Sequence, residues 1–523
     1  MGLENQFITD LQGMNQRQDP DKIPDNASPL LLNISLARPG TWSKRPGSTI
    51  LSNISRAGTG IQGMIDYLNL ASVHSLRDIN TGGLEIYNGT SYSTSFSGLS
   101  GTDMIQSAIY LNRHYFVGPN TYLQYETGTG TSTIVGSPSN QIQARCITIM
   151  GPTMYIGGVT GNMDRVYYSV FDNVNNVQTD QLYEISPAQT LATSTRFFSV
   201  ITACTALFSY GSTGKIYAFT ENECYQWDIS YANNQSGPIK ILDIGCCGPR
   251  AVTSCNGWMI WMDQNAKIWA WGGAGPAMPL SWDIEDDANG EAIINKIDKT
   301  QLILVAAGSL KNEFVFSVGN VTTFGEVINN AVIKGLISQN FNSVSWSVDS
   351  YPVRPAIFSK VRLNNTPVLV FGSSSTNDIY QMYTNNYDDG GVLINARAKT
   401  KFLDFGSAFK TRNLNKWYFK FRPQIKQGTY LRVRYSFNCN ITYTIASDPV
   451  GLTPVNQYYV IDMYDLNAST LEDNIKMLNA TTDNRFRTLS TEVGNGQLGE
   501  GFQVSGIGFL FETSELDVRG ENQ

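Results

Sequence analysis

The chain has 523 residues, with 44 acidic and 37 basic side chains and a formal charge of −7. This is longer than one hydrophobic core organises, so two or more domains, or one large closed β architecture with an appendage, are expected. Only 15% of the residues are charged and 41% are hydrophobic, and the modest acidic charge, with no long basic run, excludes a protein that grips nucleic acid through many phosphate contacts.

The uncharged polar surface must come from Asn, Ser, Thr, Gln and Gly, which favour turns over helix interiors, while 26 Tyr and 24 Phe suit half-buried pleated surfaces. That balance predicts an all-β fold. Met1 to Leu11 has neither a basic nor an apolar leader segment, and no apolar run approaches the ~18 residues of a membrane helix. Synthesis in a cytoplasm without membrane insertion is expected. Sequons such as Asn33-Ile-Ser35, Asn88-Gly-Thr90 and Asn479-Ala-Thr481 are numerous, as chance provides in an Asn/Ser/Thr-rich chain.

Residues 1–28 are polar, and Asp19-Pro20, Ile23-Pro24 and Ser28-Pro29 prevent helix continuation. They read as an extended N-terminal arm that orders only against another body, so that its deletion should spare folding. Leu30 to Ile50 (LLLNISLARPGTWSKRPGSTI), with Pro-Gly turns at Pro39-Gly40 and Pro46-Gly47, reads as a hairpin leading into the first sheet.

From about Gly60 to Gly391, short alternating segments are separated by Gly, Asn, Asp or Ser turns. They include LEIYNGT at Leu84, AIYLNRHYFVG at Ala108, TMYIGGV at Thr153, KIYAFTENECYQWDIS at Lys215, WMIWMDQNAKIWAWGG at Trp258 and VLVFGSSSTNDIYQMY at Val368. Successive hairpins that bury aromatic faces between small sheets follow the logic of a β-propeller, here of six to eight blades over 29–395, with the Leu30 hairpin closing the ring beside the last blade. A string of β-sandwiches is the competing architecture. After Asp388-Asp389-Gly390-Gly391 the strands lengthen, as in LNKWYFKFRPQI at Leu414 and GFQVSGIGFLFET at Gly501, so 396–523 is expected to form a C-terminal β-sandwich-like domain with a short helix near Leu471 to Leu478.

Chemistry is sparse. Only His74 and His114 supply imidazoles, and neither sits in a nucleophile or metal pattern. Cys146, Cys204, Cys224, Cys246, Cys247, Cys255 and Cys439 are odd in number and lack CxxC spacing, which suits buried free thiols. Asp283, Glu285, Asp286 and Asp287 in SWDIEDDANG are the best candidates for a pair of glycosidase carboxylates or a calcium loop, although EF-hand spacing is absent and a solvated acidic turn is the simpler reading. No phosphate-binding loop occurs. Neither catalytic, cofactor nor metal residues are assigned, and a non-enzymatic chain without cofactor is expected.

Several segments, in order, resemble the tail nozzle and tail-hub proteins of short-tailed bacteriophages. Leu36-Ala-Arg-Pro-Gly-Thr-Trp-Ser-Lys-Arg-Pro-Gly47 is similar to the family's Arg-Pro-Gly opening strand, and Asp164-Arg-Val-Tyr-Tyr-Ser169 to one of its blade strands. Gly245-Cys-Cys-Gly-Pro-Arg-Ala251 before WMIWMDQNAKIWAW, and Trp346-Ser-Val-Asp-Ser-Tyr-Pro352 before VLVFGSSSTNDIYQMYTNNYDDGG, resemble later blades. Ala398-Lys-Thr-Lys-Phe-Leu-Asp-Phe-Gly406, with Lys410 and Leu431-Arg-Val-Arg-Tyr435, is similar to the start of its C-terminal β domain.

The resemblance implies a structural component of the virion tail: a homohexameric ring that continues the portal and adaptor channel and conducts DNA during ejection without specifically binding it. Its partners would be copies of itself, the portal-adaptor complex, other tail proteins and tail fibres. The alternative is a tail-associated propeller that binds or cleaves carbohydrate.

Overall fold

Strand follows strand through the computed structural model, as the composition predicts. It describes residues 2–514 apart from 19–21, 52–59, 69–73, 81–82, 88–90, 98–103, 111–112, 120, 127–131, 135–142, 152, 170, 173–176, 179–196, 211–214, 229–236, 286–289, 339–342, 364–365, 407–410, 422–430, 438–460, 464–473, 480–484 and 487.

The middle of the chain forms seven consecutive four-stranded antiparallel units. Their first strands, in chain order, are Ile61–Leu68, Gln106–Tyr110, Cys146–Met150, Ala206–Ser209, Val252–Cys255, Ala306–Leu310 and Pro355–Leu363. A tight turn opens the fifth unit. Between Val252–Cys255 and Trp258–Met262 the whole loop is Asn256-Gly257, both at positive φ (49° and 76°), the backbone that matches the twist of a hairpin.

Aromatic and aliphatic faces pack unit against unit. Trp227 of the fourth unit meets Phe198 of the third at 4.4 Å between ring centroids, and Phe219 of the fourth meets Trp261 of the fifth at 5.5 Å. The succession returns to its start. Pro355–Leu363 of the seventh unit lies beside Ile61–Leu68 of the first, sharing a core of Ile61, Met64, Val361 and Val370. The seventh unit supplies only three strands of its own, and its fourth is Thr49–Ile50 from near the N-terminus, paired with Ile379–Gln381.

The sixth unit does not end at its fourth strand. Val344–Ser350 pairs in parallel with Leu30–Leu32, and the sheet runs on through Ala396–Lys399, Leu489–Asn495, Leu431–Phe437 and Ile461–Met463 to nine strands. The expected boundary near Asn395 therefore marks the start of a strand but not a break in the sheet. A second, seven-stranded sheet centres on Gln503–Ser514 and Thr411–Phe421, and Trp417, Phe419, Phe509 and Phe511 share one buried core with Leu431, Val433 and Val493 of the nine-stranded sheet.

Two expectations are corrected. The arm of residues 1–28 is packed on the chain itself: Gly2–Thr9 pairs along its whole length with Gln503–Ser514, and Ile8, Leu11, Met14, Ile23 and Ala27 are buried. Prolines and polar residues forbid a helix, but they leave backbone groups to pair with a sheet edge, and the edge is the chain's own. The Phe7 ring lies over Gly506 and Gly508, where a Cβ would collide with it, so GFQVSGIGFLFET carries its glycines as a slot for the arm. Second, Asn474–Asn479 is a strand paired with Thr411–Phe421 rather than part of a helix, because pairing with an existing strand outweighs local helical propensity.

Candidate functional site

The densest group of buried charge sits where the N-terminal segment crosses the sixth and seventh units. Arg45 directly follows the strand Trp42–Lys44 and is fully buried. Its Nη1 donates to Oδ1 of Asp389 at 2.9 Å and its Nη2 pairs with the other carboxylate oxygen, in the two-pronged geometry that guanidinium and carboxylate share. Nη2 also donates to the Ser350 carbonyl at 2.8 Å, Nε donates to Oδ1 of Asn33 at 3.1 Å, and the Tyr351 ring centroid lies 4.2 Å from the guanidinium carbon.

Asp389 Oδ1 accepts further bonds from the Ser48 amide (3.0 Å) and hydroxyl (2.8 Å), and the neighbouring Asp349 accepts from Lys334 Nζ at 3.0 Å. Burial alone would lower the Arg45 pKa, but Tyr351, Asp389 and Asp349 outweigh it and hold it above its ordinary value. Beside this group the hydroxyl of Tyr383 donates to Glu313, whose carboxyl is pushed up by burial and drawn back by Lys334. Every carboxylate in the group faces a cation or hydroxyl. The arrangement is that of a fastener, in which removal of one partner strands the other, rather than of an acid and a base poised for turnover.

Lys44 is also buried, and its Nζ donates to the Gln497 carbonyl at 2.9 Å. Burial lowers its pKa to about 8 against the opposing charge of Glu500.

Another buried cation ties distant units together. Arg250, just before the strand Val252–Cys255, donates to the carbonyls of Ala356 (2.8 Å), Ile105 (3.2 Å) and Gln62, which belong to the seventh, second and first units or their leading residues. Its own carbonyl accepts from the Ala307 amide of the sixth unit at 2.7 Å, and the Gln106 side chain donates to the Pro249 carbonyl at 3.0 Å. Among the described residues no carboxylate pairs with this guanidinium, and burial pushes its pKa down to about 10. Carbonyl dipoles from separate units converge on one side chain.

The acidic turn is divided. Asp283 lies in the 3-10 turn Ser281–Ile284, and its carbonyl accepts from the Gln16 amide at 2.6 Å. Burial raises the Asp283 carboxyl and Arg17 counteracts it. Arg17 itself stacks over the half-exposed Trp282, 3.1 Å from the ring centroid. Glu285 is buried and paired with Lys267 at 2.9 Å. Asp283 and Glu285 thus answer to different cations, and Asp286 and Asp287 lie outside the described residues.

Among the described residues no group of three or more His, Cys, Asp or Glu side chains is placed to hold a metal ion. His114 is fully buried on the strand Arg113–Gly118, and His74 lies on His74–Asn80 of a different unit. Six cysteines are free and buried, while Cys439 lies outside the described residues. Burial pushes Cys246 and Cys255 up to about 12, which leaves their thiols protonated at neutral pH. Among the described residues no helix is long and apolar enough to cross a membrane.

The residues that sequence reading left unassigned are Arg45, Asp389, Asp349 and Arg250. A signal for them existed: Arg45-Pro-Gly47, Asp349-Ser-Tyr-Pro352, Asp388-Asp-Gly-Gly391 and Gly248-Pro-Arg250 each pair a charge with turn residues, and the first three motifs meet at one point. Gly47 is required there, since a Cβ on it would overlap the Asp388 carbonyl. No protein-family model matches the chain, and no curated protein matches it.

Proposed function

We propose that the seven units close into a seven-bladed β-propeller, that the strands after residue 395 form a sandwich-like domain fused to it, and that the protein is a structural component of a bacteriophage tail, a nozzle or hub ring through which DNA leaves. The observation that carries the fold part is the return of the seventh unit onto the first, completed by Thr49–Ile50 as the borrowed fourth strand. A terminal strand borrowed in this way locks a circular array of sheets and removes two edges at once.

In this reading Arg250 fills the propeller axis, so the passage for DNA is the bore between copies and not the centre of one subunit. The buried, individually occupied carboxylates favour a mechanical role over catalysis. Each copy brings a net charge of −7; acidic walls repel passing phosphates and avoid the salt-sensitive adhesion that arrays of Lys and Arg create. The ordered set of tail-like motifs points to the same class of assembly, made in a host cytoplasm and retained in the virion, with the portal-adaptor complex above it.

The test is reconstitution. The purified chain is expected to co-sediment with portal-adaptor complexes, and to bind duplex DNA more weakly than about micromolar at physiological salt. Failure to join those complexes at any concentration that keeps the chain folded, or tight DNA binding, contradicts the reading.

A further inference from the structure

The seven-stranded sheet has two flanks. On one, Gly2–Thr9 pairs with Gln503–Ser514, alongside Trp42–Lys44 and Ile34–Ser35, which continue the sheet from the start of Gln503–Ser514, and Gly2–Thr9 pairs, among the described residues, with no other strand; on the other, Asn474–Asn479 pairs with Thr411–Phe421, alongside Arg485–Phe486, and with no other described strand. Counted with the edges themselves, the four strands from Gly2–Thr9 to Asn474–Asn479 alternate strictly antiparallel. The rows are level across them: Phe7 stands beside Gly508, Gly508 beside Tyr418, and Tyr418 beside Met477, while Asn5, Leu510, Lys416 and Asn479 form a second row.

An even number of alternating strands has a consequence for assembly. If a second copy is set beside the first by rotation about an axis along the strands, its Asn474–Asn479 strand arrives antiparallel to Gly2–Thr9. Because the rows are level, it arrives at the same height, so no axial rise accumulates and the repeat can close. Pairing two Gly2–Thr9 strands with each other would instead stop at a dimer and leave the opposite edges open.

The edge also lacks the usual protection against pairing. GLENQFIT contains neither Pro nor Lys, its one charge is Glu4, and Leu3 and Phe7 are 65% and 42% exposed. The facing strand NIKMLN carries one charge of opposite sign, Lys476.

We propose that copies of this chain join head to tail by adding Gly2–Thr9 of one copy to Asn474–Asn479 of the next, so that one sheet runs continuously from copy to copy. The inference rests on the ring reading above and names its interface.

Paired cysteines test it in the full-length chain. Asn5→Cys is combined with Asn479→Cys and, to allow a two-residue slip, with Met477→Cys. Mild oxidation at assembling concentrations should give a ladder of disulfide-linked copies on a denaturing gel, up to the ring number, lost on reduction and absent from each single variant. Deletion of residues 1–7 should lower the solution mass to that of one chain while the β spectrum is retained. A ring of normal mass that gives no ladder from either pair, or that survives the deletion, overturns the interface and leaves the ring. A dimer linked by Asn5→Cys alone overturns head-to-tail pairing. A chain that stays monomeric alone and with portal-adaptor complexes overturns the ring reading and this inference together.

Discussion

Arg45 and Asp389 lie 344 residues apart in sequence and meet as a buried two-pronged ion pair. The pair fastens the N-terminal crossing segment to the hairpin that follows the seventh unit, beside the point where Thr49–Ile50 completes that unit. Loss of it should loosen the seventh unit and its packing against the first. Asp389→Asn keeps the shape and removes the charge, leaving Arg45 buried without its counter-ion, and should cost about 3–5 kcal/mol, read as a lower urea midpoint. The double variant Arg45→Met, Asp389→Leu should recover part of that loss; a double variant no better than the single one would show that the cost is not that of a stranded charge.

The N-terminal strand is held by shape. Gly508→Val places a branched side chain where the Phe7 ring now rests, and should raise amide exchange across residues 2–9 at least tenfold while leaving the strands of the fifth unit protected. Unchanged exchange in residues 2–9 would mean that the slot does not hold the strand.

Buried thiols make stability fall in alkali. Unfolded cysteines ionise near pH 9, whereas Cys246 and Cys255 in the folded chain hold their protons to about 12. Their contribution is complete below pH 9 and is lost as pH rises from 9 toward 12, at a slope of about 1.4 kcal/mol per pH unit for each fully ionised unfolded thiol. Lys44 works in the other direction. Its pKa falls from 10.5 to about 8 on folding, so the unfolded chain binds the extra proton between those values and stability gains as pH rises through that window. Urea midpoints at pH 8 and 10.5 should therefore fall more steeply for Lys44→Met than for the parent, and less steeply for Cys246→Ala.

Arg250→Met retains bulk and removes the donors that three units share. Hydrogen bonds from a charged donor contribute about 1.5–3 kcal/mol each, so the first thermal transition should shift down by several degrees, with increased exchange in Ile61–Leu68 and Pro355–Leu363. A variant with the parent's transition would remove Arg250 from the closure of the array.

Much of this fold was legible in the residues. Alternation and turn chemistry placed strands at Thr153, Lys215, Trp258 and Val368, where Thr153–Val159, Lys215–Phe219, Trp258–Met262 and Thr366–Ser373 lie. What could not be read is which distant strands pair. Nothing local in GLENQFIT says that Gly506 and Gly508 wait for Phe7, and nothing in Asn474–Asn479 distinguishes it from a short helix until Thr411–Phe421 offers an edge. The buried charges were hidden for the same reason. Arg45 and Asp389 stand beside the turn residues Pro46-Gly47 and Gly390-Gly391, and nothing local marks them as buried, because burial depends on three-dimensional convergence that no single segment encodes.

The central claim is that this chain works as a closed ring around a passage. The most direct measurement is the mass of the purified protein in solution, with electron microscopy of the dominant species. A closed ring of six copies with an open central bore is the predicted result; an exclusively monomeric species, unchanged by portal-adaptor complexes, would contradict it.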